Sequence, residues 1–328
     1  MRIAVTGSVA TDHLMTFPGR FTDSLVAEKL DRVSLSFLVQ DLQIRRGGVG
    51  ANICFGMACL GLSPVLLAAV GPDFADYRAW LEQHGVDCGS VLVSTQHHTA
   101  RFVCTTDADH NQIASFYPGA MSQAREIELD GVAERIGGLD LVLVGADDPE
   151  AMLRHTARCR ALGIAFAADP SQQLARMGRL DIRRLIDGAR YLFTNEYEAA
   201  LTEQKTGWSS QDILERVQTR VTTLGARGSL VESRGADPVH VSAPAVQGTL
   251  DPTGVGDAFR AGYLAGIAWN LPATRCAQVG SLLAAHVIET VGPQEYVLSR
   301  QLFLARLSEG YGEPAASEVG PHLRCPRP

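Results

Sequence analysis

The sequence predicts an α/β protein: a doubly wound, mostly parallel sheet flanked by helices, with a small β-sheet lid. Three observations carry that expectation. From residue 139 onward, short apolar runs alternate with capped helical segments. Two earlier stretches, 11–46 and 93–120, instead alternate apolar with polar residues. Late in the chain, Asp251-Pro252-Thr253-Gly254-Val255-Gly256-Asp257 ends an apolar segment and opens a small-residue helix.

The first element is the run Met1-Arg2-Ile3-Ala4-Val5-Thr6-Gly7-Ser8. It is too short for a signal peptide and reads as a buried strand. Val33 to Val39 alternates in the manner of a half-exposed antiparallel strand, as do Ala100–Thr106 and Gln112–Tyr117. The turn region Asp107-Ala108-Asp109-His110-Asn111 separates the last two. After the first of these strands, Gly47, Gly48 and Asn52 open a helix. Leu139 to Gly145 is an apolar run broken only by Asp140, as expected of a strand covered on both faces. Asp147-Asp148-Pro149-Glu150 supplies a cap, a first-turn proline and an early acid for a helix to Leu162, where Gly163 stops it. Ile164–Ala168, Tyr191–Thr194 and Arg220–Leu224 continue the strands, with a helix from Glu196. Such βα units imply right-handed crossovers in a parallel sheet. The expected division is a large domain over 1–10, 47–92 and 121–311, with a lid over 11–46 and 93–120. A loosely ordered tail is expected over 312–328, rich in Pro, Gly and Ala.

Bulk properties narrow the function. With 328 residues, the chain suits one large domain or a domain plus an appendage. Its 29 basic and 36 acidic residues leave a net charge of −7, which argues against broad nucleic-acid binding. A small anion needs only a local positive field. No apolar stretch approaches the roughly 20 residues of a membrane span. Seven cysteines without a Cys-x-x-Cys pair favour reduced thiols and a cytoplasmic setting.

The glycine-rich turn carries the chemistry. The first turn of a helix has N–H groups without intrahelical partners and the positive end of the dipole, which suits phosphate. A carboxylate there would repel phosphate, so Asp257 suits taking a proton from a hydroxyl that attacks it. The plainer reading of Asp257 is an acid favoured in a first turn. Asn195 and Glu198 have capping-box spacing, and Thr223 to Gly228 can be no more than a tight turn. His97-His98 lacks further ligand spacing and reads as a polar turn.

The Gly254–Asp257 segment, with Gly47-Gly48-Val49-Gly50-Ala51-Asn52, resembles the ribokinase (pfkB) family of carbohydrate and nucleoside kinases. That family carries one Gly-Gly signature early and a Gly-x-Gly-Asp signature late, and the likeness covers nearly the whole chain. Within the family the likeness is to actinobacterial adenosine kinases. It rests on Gly7-Ser8-Val9-Ala10-Thr11-Asp12-His13, Ser34-Leu35-Ser36-Phe37, Ala114 to Met121 and Asp169-Pro170-Ser171-Gln172-Gln173. Pro252 departs from the threonine of many relatives.

The resemblance implies Mg²⁺-assisted phosphorylation of adenosine at its 5′-hydroxyl by ATP, giving AMP and ADP. Asp257 would be the general base, and the N–H groups of Gly254, Val255 and Gly256 would hold the moving phosphoryl group. Asp12, Gly48 and Asn52 would meet the ribose hydroxyls, with Ser8 and Ser36 as neighbours. Phe102 and Phe116 would grip the base, although aromatics on such strands are more often core. Gln172 and Gln173 would read the adenine edge. Independently of the resemblance, Arg176, one turn past them, is a candidate for countering phosphate charge, although most single arginines are surface charges. Asn195, Thr223, Gly225, Ala226, Arg227 and Gly228, with Gly256, would hold ATP. Glu198 would reach Mg²⁺ through water. Relatives pair their lids, so a homodimer through the lid strands is implied. The rival within the family is a kinase of another nucleoside or of a sugar such as ribose or fructose. Outside it stand a catalytically silent nucleoside-binding regulator and a dinucleotide oxidoreductase. The latter needs Gly-x-Gly-x-x-Gly after the first strand, where the chain offers only Gly7-Ser8-Val9-Ala10.

Overall fold

The structure, a computed structural model, describes residues 1–25, 32 and 34–324. Fourteen strands are found among them: β1 Ile3–Thr6, β2 Ala10–Thr16, β3 Asp41–Gly47, β4 Val65–Leu67, β5 Ala69–Val70, β6 Leu92–Val93, β7 Ala100–Thr106, β8 Gln112–Tyr117, β9 Leu141–Val144, β10 Ala165–Ala168, β11 Tyr191–Asn195, β12 Thr219–Thr223, β13 Ser229–Ser233 and β14 Val239–Val241. Eight form the main sheet, in the order β14-β13-β12-β11-β10-β9-β1-β4. The pairs from β12 to β4 are parallel, and β13 and β14 add an antiparallel edge. The fold is ribokinase-like, a mostly parallel sheet between helices.

Apolar residues on both faces of each central strand explain this burial. Ile3, Val5, Leu141, Leu143 and Phe193 enter one core, while Ala4, Val142, Val144, Phe166 and Leu192 enter the other. The helix Pro149–Leu162 starts where Asp148 accepts from the Ala151 N–H (3.1 Å) and ends at Gly163 with φ 67°. The helix Val255–Ala268 lies backbone to backbone against the helix Ala273–Ile288. A Cβ added at Gly262 would stand 2.7 Å from the Gly280 Cα.

Strands β2, β3, β7 and β8 form a separate four-stranded sheet ordered β3-β2-β7-β8. Two expectations fail around it and at the C-terminus. Residues 34–39 form no strand, and Val33 lies outside the described residues. The strand is β3, which pairs with β2 from Ala10↔Gly47 to Thr16↔Asp41. Both segments alternate, but only β3 runs directly into Gly48, whose φ of 98° turns the chain into the helix Val49–Cys59. The apolar residues before it have other work: the Phe37 ring lies 4.9 Å from those of Phe17 and Phe21.

The described part of the tail, up to residue 324, is not loosely ordered. Glu313–Val319 is a helix, and Ala315, Val319 and Leu323 are buried in the main core. Their spacing of four was masked by Pro, Gly and Ala in the composition. Arg300 fixes this end by donating to the carbonyls of Gly320 (2.9 Å) and Leu323 (3.2 Å). Residues 325–328 lie outside the described residues. Among the described residues no helix is long and apolar enough to cross a membrane.

Candidate active site

The first turn of the helix Val255–Ala268 stands between two cavities. Gly254, at its N-cap, has φ 77°, and a Cβ there would run into Pro293. Gly254 and Asp257 line one cavity, of about 430 Å³, while Val255 and Gly256 line the other, of about 450 Å³. One helical turn therefore presents backbone N–H groups and a carboxylate to two adjoining spaces.

The first cavity lies between the main sheet and the small sheet. It is lined by Ser8, Asp12, Gly48, Asn52, Phe102, Phe116, Gln172, Gln173 and Arg176, together with Arg45, Asp251 and Met121. Ser36 is exposed and does not line it. Its segment belongs to the Phe37 cluster rather than to β3. Ser8 is buried, and its Oγ accepts from the Val49 N–H (3.1 Å). Gln172 is exposed, with Oε1 accepting from the Ser171 hydroxyl (2.7 Å). Gln173 is buried, and its Oε1 has no partner among the described residues.

Asp257 is half-buried at this cavity, and its Oδ2 accepts from the Asn52 side-chain amide at 2.8 Å. Asn52 is held in turn, since Gln294 Nε2 donates to its Oδ1 (2.9 Å) and to the Tyr77 hydroxyl (2.5 Å). Tyr77 donates onward to the Gly47 carbonyl (3.0 Å). Desolvation pushes the Asp257 carboxyl up to about 7 against the pull of the Asn52 bond and the Arg260 charge. Asp169 and Glu198 push it further the same way. Asp12 is raised mainly by burial, with Arg45 opposing.

Two cations organise these acids. Arg260 is buried one turn after Asp257. Its Nε donates to Asp169 (2.5 Å), its Nη1 to the Gly256 carbonyl (3.1 Å), and its Nη2 stands 3.8 Å from Glu198. Arg45 of β3 reaches Asp251 at 3.1 Å. Asp251 also accepts from the N–H groups of Thr253 (2.9 Å) and Gly292 (3.1 Å). It therefore ties the small sheet to the base of the glycine turn. Burial works against the Asp251 charge, yet those bonds and Arg45 hold its carboxyl below the ordinary value.

The second cavity contains Asn195, Thr223, Gly225, Ala226 and Gly228, walled by Val246, Phe259, Ala284 and Ile288. Arg227 points elsewhere, pairing with Glu196 at the surface. Asn195 and Glu198 form a reciprocal capping box, with both bonds at 2.8 Å. Glu198 lines neither cavity, and burial raises its carboxyl. Among the described residues no group of three or more His, Cys, Asp or Glu side chains could hold a metal ion.

Residues 6–300 match the model of the pfkB family of carbohydrate kinases. The chain belongs to this family. As a pfkB-family kinase it is similar to a nucleoside kinase of Methanothermobacter thermautotrophicus, at 30% identity over 79% of this chain and 83% of that one. A nucleoside kinase of Methanocaldococcus jannaschii is 25% identical over 89% of this chain and 92% of its own. Among solved structures, the nucleoside kinase of Burkholderia thailandensis in complex with inosine superposes with a TM-score of 0.83 at 33% identity. That match covers 94% of this chain and 99% of the other. The same enzyme has been solved with ADP-inosine.

Sequence reasoning about this kinase missed Arg45, Asp251, Arg260, Tyr77 and Gln294 as parts of the site. Arg260 left a signal: it is the lone charge within the otherwise apolar run Ala258 to Ala268. Asp251 stood in plain view at the head of the motif. Tyr77 and Gln294 left none, because only the fold brings residues 52, 77 and 294 together.

Proposed function

We propose that the protein phosphorylates the 5′-hydroxyl of a nucleoside, adenosine first among them, with ATP as donor. One observation carries this reading: a single cavity combines Asp257 and Asp12 with two aromatic rings and two glutamine amides. That combination suits a sugar bearing a flat base better than a bare sugar. The similarity to a nucleoside kinase that binds inosine supports the nucleoside class.

In this reading Asp257 takes the proton of the 5′-hydroxyl as its oxygen bonds to the γ-phosphorus and the β–γ bridge breaks, releasing ADP. The N–H groups of Gly254, Val255 and Gly256 stabilise the transferring group. Asp12 accepts from the ribose diol beside Asn52 and the Gly48 backbone, with Ser8 behind. Phe102 and Phe116 hold the base faces. Gln172 and Gln173 read its edge, and the free Oε1 of Gln173 suits a donor such as the 6-amino group. Arg176 offsets phosphate charge. The second cavity takes ATP through Asn195, Thr223, Gly225, Ala226 and Gly228, with Gly256 of the helical turn.

Glu198 fits a magnesium ion held chiefly by phosphates and water, because it is a single half-buried carboxylate and one of its oxygens is already committed to the capping box. Bound there, the ion would neutralise phosphate charge. The small sheet acts as the lid and also as a dimer surface. Leu42, Ile44, Ile113 and Tyr117 alternate on its outer face and are exposed, which suits pairing with a second copy.

The test is ADP release measured with adenosine, inosine, guanosine, cytidine, ribose and fructose. Adenosine should give the highest kcat/KM. A higher value for inosine would keep the nucleoside class and move the preference to 6-oxopurines. A higher value for ribose or fructose would overturn the nucleoside reading.

A further inference from the structure

Far from the catalytic turn, arginines gather at the opposite end of the main sheet. The glycine turn, Asp169 and Asn195 lie at the C-terminal ends of the strands. At the N-terminal ends of β10 to β12 there is a shallow basin of about 440 Å³ walled by Arg160, Arg190, Arg216 and Arg234. It opens between the first residues of β10 and the turn at Gly188.

Carbonyls are the main hydrogen-bond partners of Arg160 and Arg234, while Arg190 and Arg216 lie over the Tyr191 and Trp208 rings. Arg160 donates to the carbonyl oxygens of Arg184 and Asp187, both at 2.9 Å. Arg234 donates to those of Glu215 (2.7 Å) and Val217 (3.2 Å). Such bonds close the C-terminal ends of the helices Arg179–Ile186 and Ser210–Arg216. They orient the guanidinium groups without neutralising them. Among the described residues, the one carboxylate within 4 Å of these four side chains is Asp187, 3.5 Å from Arg216. Four arginines thus wall one small space with a single carboxylate partner among the described residues, on a chain whose net charge is −7.

We propose that this basin binds a small anion carrying a chain of phosphates. A guanidinium fork matches phosphate oxygens two at a time. Several forks around one space suit a di- or triphosphate rather than a single phosphate. The basin is a small local hollow on an acidic protein, not an extended basic stripe, so a long nucleic acid is a poor match. The ligand is either a free oligophosphate or the phosphate chain of a nucleotide, and it binds apart from both cavities of the active site.

Calorimetric titration of inorganic tripolyphosphate into the full-length protein at low salt tests this. Wild type is compared with Arg190→Glu and Arg234→Gln. Arg190 closes no helix end, so its substitution guards against misfolding of the Arg234 variant. The expected result is a binding event weakened at least tenfold in both variants, while KM for ATP and kcat stay at wild-type values. Titrating a nucleoside triphosphate in parallel separates the sources. Equal loss of affinity for both ligands assigns the site to the phosphate chain alone, and a larger loss for the nucleotide assigns it to nucleotides. Superimposable isotherms for wild type and Arg190→Glu, or no binding to wild type outside the ATP site, would overturn the proposal.

Discussion

Gly254 and Asp257 face a cavity whose walls include Asp12, Arg45, Arg176 and Asp251. Val255 and Gly256, in the same helical turn, face one with no ionisable side chain among its described lining residues. The first space is shaped by charges whose positions depend on neighbours: Asp12 against Arg45, Asp257 against Asn52 and Arg260. The second is shaped by backbone, small side chains and an apolar wall. Recognition on the first side therefore resides in functional groups, and on the second in the path of the chain. Substitutions should separate the two. Removing a group should damage the acceptor side, while only a change that moves backbone should damage the donor side.

The largest effect is expected at Asp257, the base in the proposed reaction. Asp257→Asn keeps the shape and the Asn52 neighbour but removes the base, so kcat should fall by roughly 10² or more with the fold intact. The same change should stabilise the protein. A carboxyl raised in the folded state to about 7 binds a proton that the unfolded chain releases, so stability declines as pH climbs from the ordinary carboxylate range to about 7. Thermal melts should show Asp257→Asn with the higher Tm at about pH 8 and little difference at about pH 4. A variant with normal kcat, or one less stable at alkaline pH, would contradict the placement of a strained acid in this turn.

A crossed pair tests the contrast directly. Asp12→Asn should raise KM for the acceptor by roughly 10- to 100-fold, the cost of losing hydrogen bonds to a charged group, and leave KM for ATP alone. Gly228→Ala should do the reverse. Gly228 has φ +95°, and a Cβ there would run into the Val241 carbonyl oxygen, so the turn must move. KM for ATP should rise by at least roughly tenfold. If Gly228→Ala instead damages acceptor binding, the two sides are not independent.

What the sequence disclosed follows the same division. The glycine turn and Gly47 to Asn52 were legible because their chemistry sits in contiguous residues with backbone demands. The strands β9 to β11 were legible to within two residues or so, since apolar runs buried on both faces have few other uses, and β7 and β8 were legible from their alternation. Arg45 and Asp251 were not, because 206 positions separate them and only the pairing of β3 with β2 brings Arg45 to the cavity. β3 itself was misplaced, since residues 34–39 alternate as well as residues 41–47 do, and local pattern cannot say which segment finds a partner strand. The tail failed for a related reason: three apolar residues four apart are weak evidence until a core exists for them to enter.

A subtler effect separates Asn52 from a mere contact. Its hydrogen bond lowers the Asp257 carboxyl, so removing it should raise that value further. The acid limb of kcat/KM should lie near pH 7 in the wild type. Asn52→Ala should move it to higher pH, measured across a buffer series with the acceptor well below KM. A limb that stays in place would mean that Asn52 orients substrate without tuning the base.

The smallest effect should come from a residue that touches neither cavity. Lys205 lies in the last turn of the helix Glu196–Thr206, whose first turn is the Asn195–Glu198 capping box beside the donor cavity. Its ammonium donates to the carbonyls of Leu174 (2.5 Å), Ala175 (2.8 Å) and Met177 (3.1 Å). Those carbonyls close the short turn that carries Gln172, Gln173 and Arg176 on the acceptor side. One helix thus starts at one cavity and clamps a wall of the other. Lys205→Met keeps the length of the side chain and loses three charge-assisted bonds, and the carbonyls can still recruit water. The turn should loosen rather than unfold, raising acceptor KM by roughly three- to tenfold while KM for ATP holds. Should Tm fall with both KM values unchanged, the ammonium supports the fold alone, and the two sides of the active site are not mechanically joined through this helix.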